Sequence, residues 1–305
     1  MNSTPAIVGL GMATVDVLTR VPRLPGPDEV FEVDALEFQG GGPVASALAA
    51  AARLGSQVAM IGSTDAGTWG QIVVDGLVSA GVDVAHLWRR AGGDAPRSVI
   101  LIDRADGRRS ILYSPGTVGS PRLDELPWPL IRGARVLHLD GFHLEAALAA
   151  ARAAREAGVA VSFDGGAGDL WAGIDDLLPL VDVLIVARSF ATQVTGASEP
   201  EASGPLLARH GARHVVVTDG VRGAWSWVDG EALHQPAHEV EVVDTTGAGD
   251  AFHGGYLHAW VGGADPRTCL RVASAVGALA CTRLGGRAGL PDAATVHELL
   301  AQRAG

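Results

Sequence analysis

The chain contains no lysine; all 23 of its basic residues are arginine. That excludes a Walker A lysine, a Schiff-base lysine and a Ser-x-x-Lys nucleophile. Asparagine occurs once, at Asn2, so any task for a carboxamide in the interior falls to other residues. Cysteine is nearly as scarce. Cys269 and Cys281 stand twelve residues apart in one apolar helical run, without metal-ligand spacing, and read as reduced thiols. Aromatic residues make up 5% of the chain. The apolar run at residues 6–12 is too short to span a bilayer and has no basic flank, which leads us to expect a cytoplasmic location. A net charge of −11 and a sequence pI near 5.3 leave no basic footprint for nucleic acid or for an anionic membrane.

What is present is 48% hydrophobic residues and 41 glycines in 305 positions, enough for one large α/β domain and a small appendage. Ala6 to Leu10 reads as a buried strand. Residues 15–20 and 30–38 read as two half-exposed strands around Pro22, Pro25 and Pro27. Gly40-Gly41-Gly42-Pro43 opens an alanine-rich helix to Leu54, with proline in the first turn where a missing N–H is harmless. Strands at 57–61, 135–139, 159–163, 182–186 and 213–218, with helices at 68–80 and 144–157, predict a mainly parallel sheet with helices on both faces. Ser98–Asp103 and Arg109–Ser114 form a hairpin around residues 104–108. With 15–38 this predicts a small β lid (15–38 and 97–114) on a large domain (1–14, 39–96 and 115–305). An apolar lid face needs a cover, either the active site of its own chain or a second copy. The tail, 265–300, reads as helical with a break at Gly285–Gly289.

The chemistry concentrates in Val242-Val243-Asp244-Thr245-Thr246-Gly247-Ala248-Gly249-Asp250-Ala251-Phe252. A strand-like run enters, small residues form a loop, and a helix leaves from Asp250 to about Val261. Gly247, Ala248 and Gly249 leave backbone N–H groups open at a helix N-terminus, where an anion is favoured. Asp250 then lies beside the bound phosphate, placed to take a proton from an incoming hydroxyl. Its plainer reading is a helix cap. Gly9-x-Gly11 lacks a dinucleotide fingerprint, because Thr14 replaces the third glycine. His138, His143 and His253 have no ligand spacing and read as packing or pocket polarity. Trp225 and Trp227 alternate on a strand.

The Asp244–Asp250 string resembles the C-terminal signature of the ribokinase, or PfkB, family of carbohydrate kinases. The resemblance extends over nearly the whole chain. Gly40 to Ser46 followed by Ala52-Arg53-Leu54-Gly55 is similar to the family's glycine motif. Val8-Gly9 with Asp16 is similar to its first sugar-contacting element, and Val217 to Gly220 with Gly223 to its nucleotide-binding turn. The stretch from His234 through Cys281-Thr282-Arg283 and Gly286 to Gly289 most resembles the sulfofructose-kinase branch. The resemblance implies a ribokinase-like α/β fold and ATP-dependent phosphorylation of a sugar hydroxyl with Mg²⁺, Asp250 being the base and Gly247 to Gly249 the anion hole. It places Asp16, Gly41, Gly42 and Ser46 on the sugar, and Thr218, Gly220 and Gly223 at the nucleotide. A potassium site would fall on Asp244, Thr246, Ala280, Arg283, Gly285 and Gly289. Apart from the resemblance, the apolar lid face leaves a homodimer through the lid as one of its two covers.

The sequence departs from the pattern in three ways. Ser46 replaces the asparagine that ends the glycine motif. The Asn-x-x-Glu motif that organises water around magnesium maps onto Ala187 and Phe190, which cannot bind a hydrated cation. Asp164, at a strand end before two glycines, is the replacement we assign, and its plainer reading is a turn aspartate. A sulfonate-bearing sugar would need a cation; Tyr113 and Gly141-Phe142 supply none where one is expected, leaving Arg97 or Arg108. Phe31, Phe38 and Tyr113 in the lid also admit a nucleoside as acceptor, and a sugar-binding regulator without catalysis is the alternative outside enzymes.

Overall fold

Short buried strands set the centre of the protein, whose computed structural model describes residues 4–166, 168 and 170–302. The chain runs β1 (Ile7–Leu10), β2 (Thr14–Val21), β3 (Glu37–Gly41), α1 (Pro43–Arg53), β4 (Val58–Asp65), α2 (Thr68–Ser79) and β5 (Asp83–Arg90). It continues through β6 (Arg97–Asp103), β7 (Arg109–Ser114), α3 (Trp128–Gly133), β8 (Val136–Leu139), α4 (Leu144–Glu156) and β9 (Ala160–Asp164). Then follow α5 (Ile174–Leu177), β10 (Val183–Ala187), α6 (Arg188–Thr195), α7 (Pro200–Ala208), β11 (His214–Thr218), β12 (Ala224–Val228) and β13 (Glu231–Gln235). The last helices are α8 (Ala248–Val261), α9 (Pro266–Ala280) and α10 (Ala293–Gln302).

Nine strands form the large sheet in the order β13-β12-β11-β10-β9-β8-β1-β4-β5, and four form the small sheet in the order β3-β2-β6-β7. The large sheet is parallel from β11 to β5, and β12 pairs antiparallel with both of its neighbours. Side-chain alternation divides its core. Val8, Leu10, Leu137, Leu139, Val161 and Phe163 meet the alanine face of α4. Ile7, Met60 and Val136 face the opposite layer, with residues of α1, α8 and α9. Strands buried on both faces explain the continuous apolar runs in the sequence.

The small sheet confirms the separate four-strand unit and corrects one of its boundaries. Residues 30–36 are not a strand, and Val30 is 94% exposed. Three prolines and the left-handed Asp28 (φ 60°) hold this stretch off the sheet. The strand begins at Glu37 and runs directly into the glycine motif at Gly41. β2 is also more buried than expected, because Leu18 packs with Ile100 and Ile102 against Leu284. Residues 242–243 are not a strand either; Val243 and Asp244 both donate to the Cys281 carbonyl, which pins the loop to the end of α9. Both cysteines are free and buried.

Candidate active site

β1 lies between β8 and β4, and the chain builds outward from it in both directions. That reversal opens a crevice at the strands' carboxyl ends, where open α/β sheets bind ligands. Asp140, just past β8, closes its floor: Oδ2 accepts the Met12 N–H at 2.8 Å and Oδ1 the Phe142 N–H at 3.1 Å. Burial pushes the Asp140 carboxyl up to about 7, against the pull of those hydrogen bonds. A side chain at Gly11 would collide with this carboxylate.

Asp16, on β2, points into the same crevice and is 7% exposed. Its Oδ1 accepts from the Thr14 hydroxyl at 3.0 Å, and a side chain at Gly41 would occupy the place of its Oδ2. Burial raises its pKa, opposed by Thr14 and by the Arg287 guanidinium. Gly42 caps α1 at φ 98°, a conformation only glycine takes readily. Ser46 is buried, and its oxygen lies 3.2 Å from Arg287 Nε. Beside Asp140 a cavity of about 310 Å³ is lined by Met12, Ser63, Tyr113, Val118, Phe142 and His143, among others. Tyr113 donates to Met12 Sδ at 3.0 Å, and its ring meets Phe142 edge-on at 6.2 Å. Arg97 is tied to Asp94 and lies over Trp69, and exposed Arg108 pairs with Asp106.

Asp250 is the third residue of α8, and Gly247 is the N-cap, at φ 71°, so the capping interpretation of Asp250 does not hold. A Cβ on Gly247 would come within 2.7 Å of Gly286, whereas one on Gly249 would meet nothing within 4 Å. The Ala248 N–H donates to the Thr245 carbonyl at 3.3 Å, and the helix start at Gly249 opens on empty space, as a helix N-terminus that receives an anion does. Burial holds the Asp250 carboxyl well above the ordinary range, and the charges of Asp164 and Asp16 raise it further. Arg109 and Arg287 pull it down. Arg287, lowered by its own burial to about 10, is thus shared between Asp16 and Asp250.

A second cavity, of about 450 Å³, joins the ends of β10 and β11 to the start of α8. Thr218, Gly220, Gly223, Ala248 and Gly249 line it together, with Val221, Val240, Val242 and Ala278 as apolar walls and Arg109 as a cation. Ala187 lines it too, and Phe190 is buried beside Gly165.

Asp244 is fully buried, accepting from the Thr246 N–H and the Gly285 N–H, each at 2.8 Å. Thr246 Oγ1 is buried without a partner among the described residues. Gly289 packs against the Ala280 carbonyl so closely that a side chain would collide with it, and Arg283 is exposed. Asp164 is 6% exposed rather than on an open turn; Oδ1 accepts from Gly166 N–H at 2.7 Å, and Oδ2 lies 3.4 Å from His253 Nε2. His138 and His253 are brought together here, their rings 5.3 Å apart, despite their distance in sequence. Sequence reasoning assigned no role to Asp140, Arg109 or Arg287. The first could have been found as a second aspartate at a strand end; the arginines carry no local signal.

The profile of the pfkB family of carbohydrate kinases matches residues 5–293. An ATP-dependent ribose-1-phosphate kinase of Halopiger xanaduensis is 33% identical over 300 residues, covering 97% of this chain and 98% of that protein. A putative ribokinase from Agrobacterium tumefaciens superposes with a TM-score of 0.91 at 26% identity, covering 98% of each chain. The Arabidopsis thaliana ribokinase complexed with ribose and ATP superposes at 0.85 with 25% identity, covering 97% of this chain and 99% of that one.

Proposed function

The chain belongs to the pfkB family of carbohydrate kinases, and from that premise we propose that it moves the γ-phosphoryl group of ATP onto a sugar hydroxyl, with Asp250 as general base. The observation that carries the reading is that Asp250, the third residue of α8, directly follows Ala248 and Gly249, which line the larger cavity together with Thr218, Gly220, Gly223 and Arg109.

In this reading ATP lies along Thr218, Gly220 and Gly223, with its phosphates at Gly247 to Gly249. Asp16 and the glycine motif, Gly41 and Gly42, hold the sugar. Asp250 takes the hydroxyl proton as that oxygen bonds to the γ-phosphorus. The bond from phosphorus to the bridging oxygen breaks, and ADP leaves carrying the electron pair. The amides of the turn steady the charge on the transferring group, for which removal of one such donor costs roughly 10²–10³ in rate. Mg²⁺ would supply charge neutralisation for the transferring group, and Asp164 is the carboxylate we assign to hold its waters. We assign a potassium ion to the space beside the turn: buried Thr246 Oγ1 has no partner among the described residues, buried Asp244 would supply the charge, and the carbonyls of Ala280, Arg283, Gly285 and Gly289 are the further donors of this reading. The outer face of the small sheet exposes Val99 and its cross-strand partner Leu112, the surface we assign to a second copy of the chain. A cytoplasmic location, in keeping with two free cysteines, belongs to the same reading.

The Tyr113–Phe142 pair in the smaller cavity supports a second reading, in which the sugar carries a flat uncharged group, as in a nucleoside. Arg97 and Arg108 already have acidic partners, which weighs against a sulfonate. ADP release with ATP and a panel of free sugars, sugar phosphates, sulfosugars and nucleosides tests these together. Melting shifts with the panel but no ADP release under any condition would replace the kinase reading with that of a regulator.

A further inference from the structure

We infer that His138, Asp164 and His253 form a binding site for a divalent first-row transition ion of the zinc class, behind the phosphate-binding turn. One ligand atom from each residue lies within 4.8 Å of the other two, and all three side chains are buried. They come from three elements distant in sequence: β8, the end of β9, and α8 one turn beyond Asp250.

The surrounding bonds orient these ligands as metal ligands are oriented. His138 Nδ1 lies 3.3 Å from Ser162 Oγ, which leaves Nε2 with no partner among the described residues. Asp164 Oδ1 is held by the Gly166 N–H, leaving Oδ2 toward His253. A second-neighbour bond of this kind fixes the tautomer and direction of a ligating imidazole. His253 Nδ1 is also buried, without a partner among the described residues.

Charge points the same way. Asp164 is 6% exposed, and its ion-pair contact among the described residues is with the His253 imidazole rather than with an arginine. A buried carboxylate without a cation is costly, and a divalent ion removes that cost while using the idle imidazole nitrogen. Two nitrogens and one oxygen suit zinc, cobalt or nickel, whereas magnesium and calcium prefer oxygen alone. A carboxylate has lone pairs enough for both roles, Oδ2 facing the imidazoles and Oδ1 the loop at Gly166. The ion would clamp β8 and β9 to α8 and offset the negative charge that Asp164 presents to Asp250.

The test needs no acceptor and no turnover, so its result is independent of the kinase reading. The full chain, stripped with a chelator, is titrated with Co²⁺ and then with Zn²⁺. We expect one Co²⁺ per chain with visible d–d absorption, its displacement by Zn²⁺, and a higher unfolding temperature with either ion. His138→Gln should abolish the absorption. Ser162→Ala keeps all three ligands and should weaken affinity by about 10–100-fold, which also serves if His138→Gln does not fold. Absence of the absorption in the unaltered protein, or affinity unchanged by Ser162→Ala and by any folded His138→Gln, overturns the site.

Discussion

Arg287 and Ser46, 241 positions apart in sequence, meet beneath the glycine motif: Arg287 Nε lies 3.2 Å from Ser46 Oγ, and a terminal nitrogen of the same guanidinium donates to the Gly41 carbonyl at 2.8 Å. A short hydroxyl stands where the family pattern has asparagine, and a long cation from the 281–292 loop fills the space. The same cation lowers the pKa of both Asp16 and Asp250.

Replacing Arg287 by methionine therefore removes a charge as well as two hydrogen bonds. Without the cation, Asp250 holds its proton to higher pH, so the acid limb of kcat/KM should move upward. The carbonyl and hydroxyl left unpaired should cost about 1–3 kcal/mol of stability. Arg287→Lys keeps the charge and should leave the limb in place. Identical pH profiles for both variants and the unaltered protein would confine Arg287 to a structural part.

Asp250→Asn keeps the size of the side chain but cannot accept the proton. We expect kcat to fall by roughly 10²–10⁴ while ATP still binds, as read by calorimetry and single-turnover kinetics. Retention of more than about a tenth of kcat would remove the base assignment.

The two glycines of the turn should separate stability from activity. Gly247→Ala strains a residue at φ 71° and drives a methyl toward Gly286, so it should lose more than about 1 kcal/mol in denaturant unfolding. Gly249→Ala enters open space within a helix and should gain up to about 1 kcal/mol from propensity. Its methyl occupies the phosphate's approach, however, and kcat/KM for ATP should fall by the order of 10²-fold. A stable Gly249→Ala with full activity would move the phosphates elsewhere.

Asp164→Asn makes a prediction opposite in sign to that for Arg287. The negative charge of Asp164 raises Asp250, so its removal should shift the acid limb of kcat/KM downward, measured in metal-stripped protein resupplied with Mg²⁺ alone. The Mg²⁺ concentration for half-maximal rate should rise about tenfold, with little change in acceptor affinity. An unchanged magnesium curve would leave that ion to ATP and water.

Potassium should stimulate the reaction over sodium and over large organic cations. Thr246→Val, which removes the buried unpaired oxygen, should raise the activating K⁺ concentration by about tenfold, equivalent to about 1.4 kcal/mol. Equal rates in all three cations would count against the site.

The amino-acid sequence alone determined α1, β4, α2, the β6–β7 hairpin, β8, α4, β9, β10 and β11 in their order, and the glycine turn that opens α8. Those features depend on apolar period, on proline and glycine, and on helix-terminus chemistry, all within a few neighbouring residues. Asp250, Gly247 and Gly249 were legible for that reason. The edge strands β5 and β13 were not, because their half-exposed sides carry mixed polarity. Residues 30–38 misled because alternation there is local, while the paired partner needed for a strand reaches only Glu37 to Gly41. Tertiary structure alone decided that Arg287 lies under Ser46, that Asp140 closes the floor below Gly11, and that His138 and His253 converge on Asp164. Each of these depends on burial and on contacts more than twenty positions apart, and those are set by how the sheets and helices pack rather than by any neighbour in the chain.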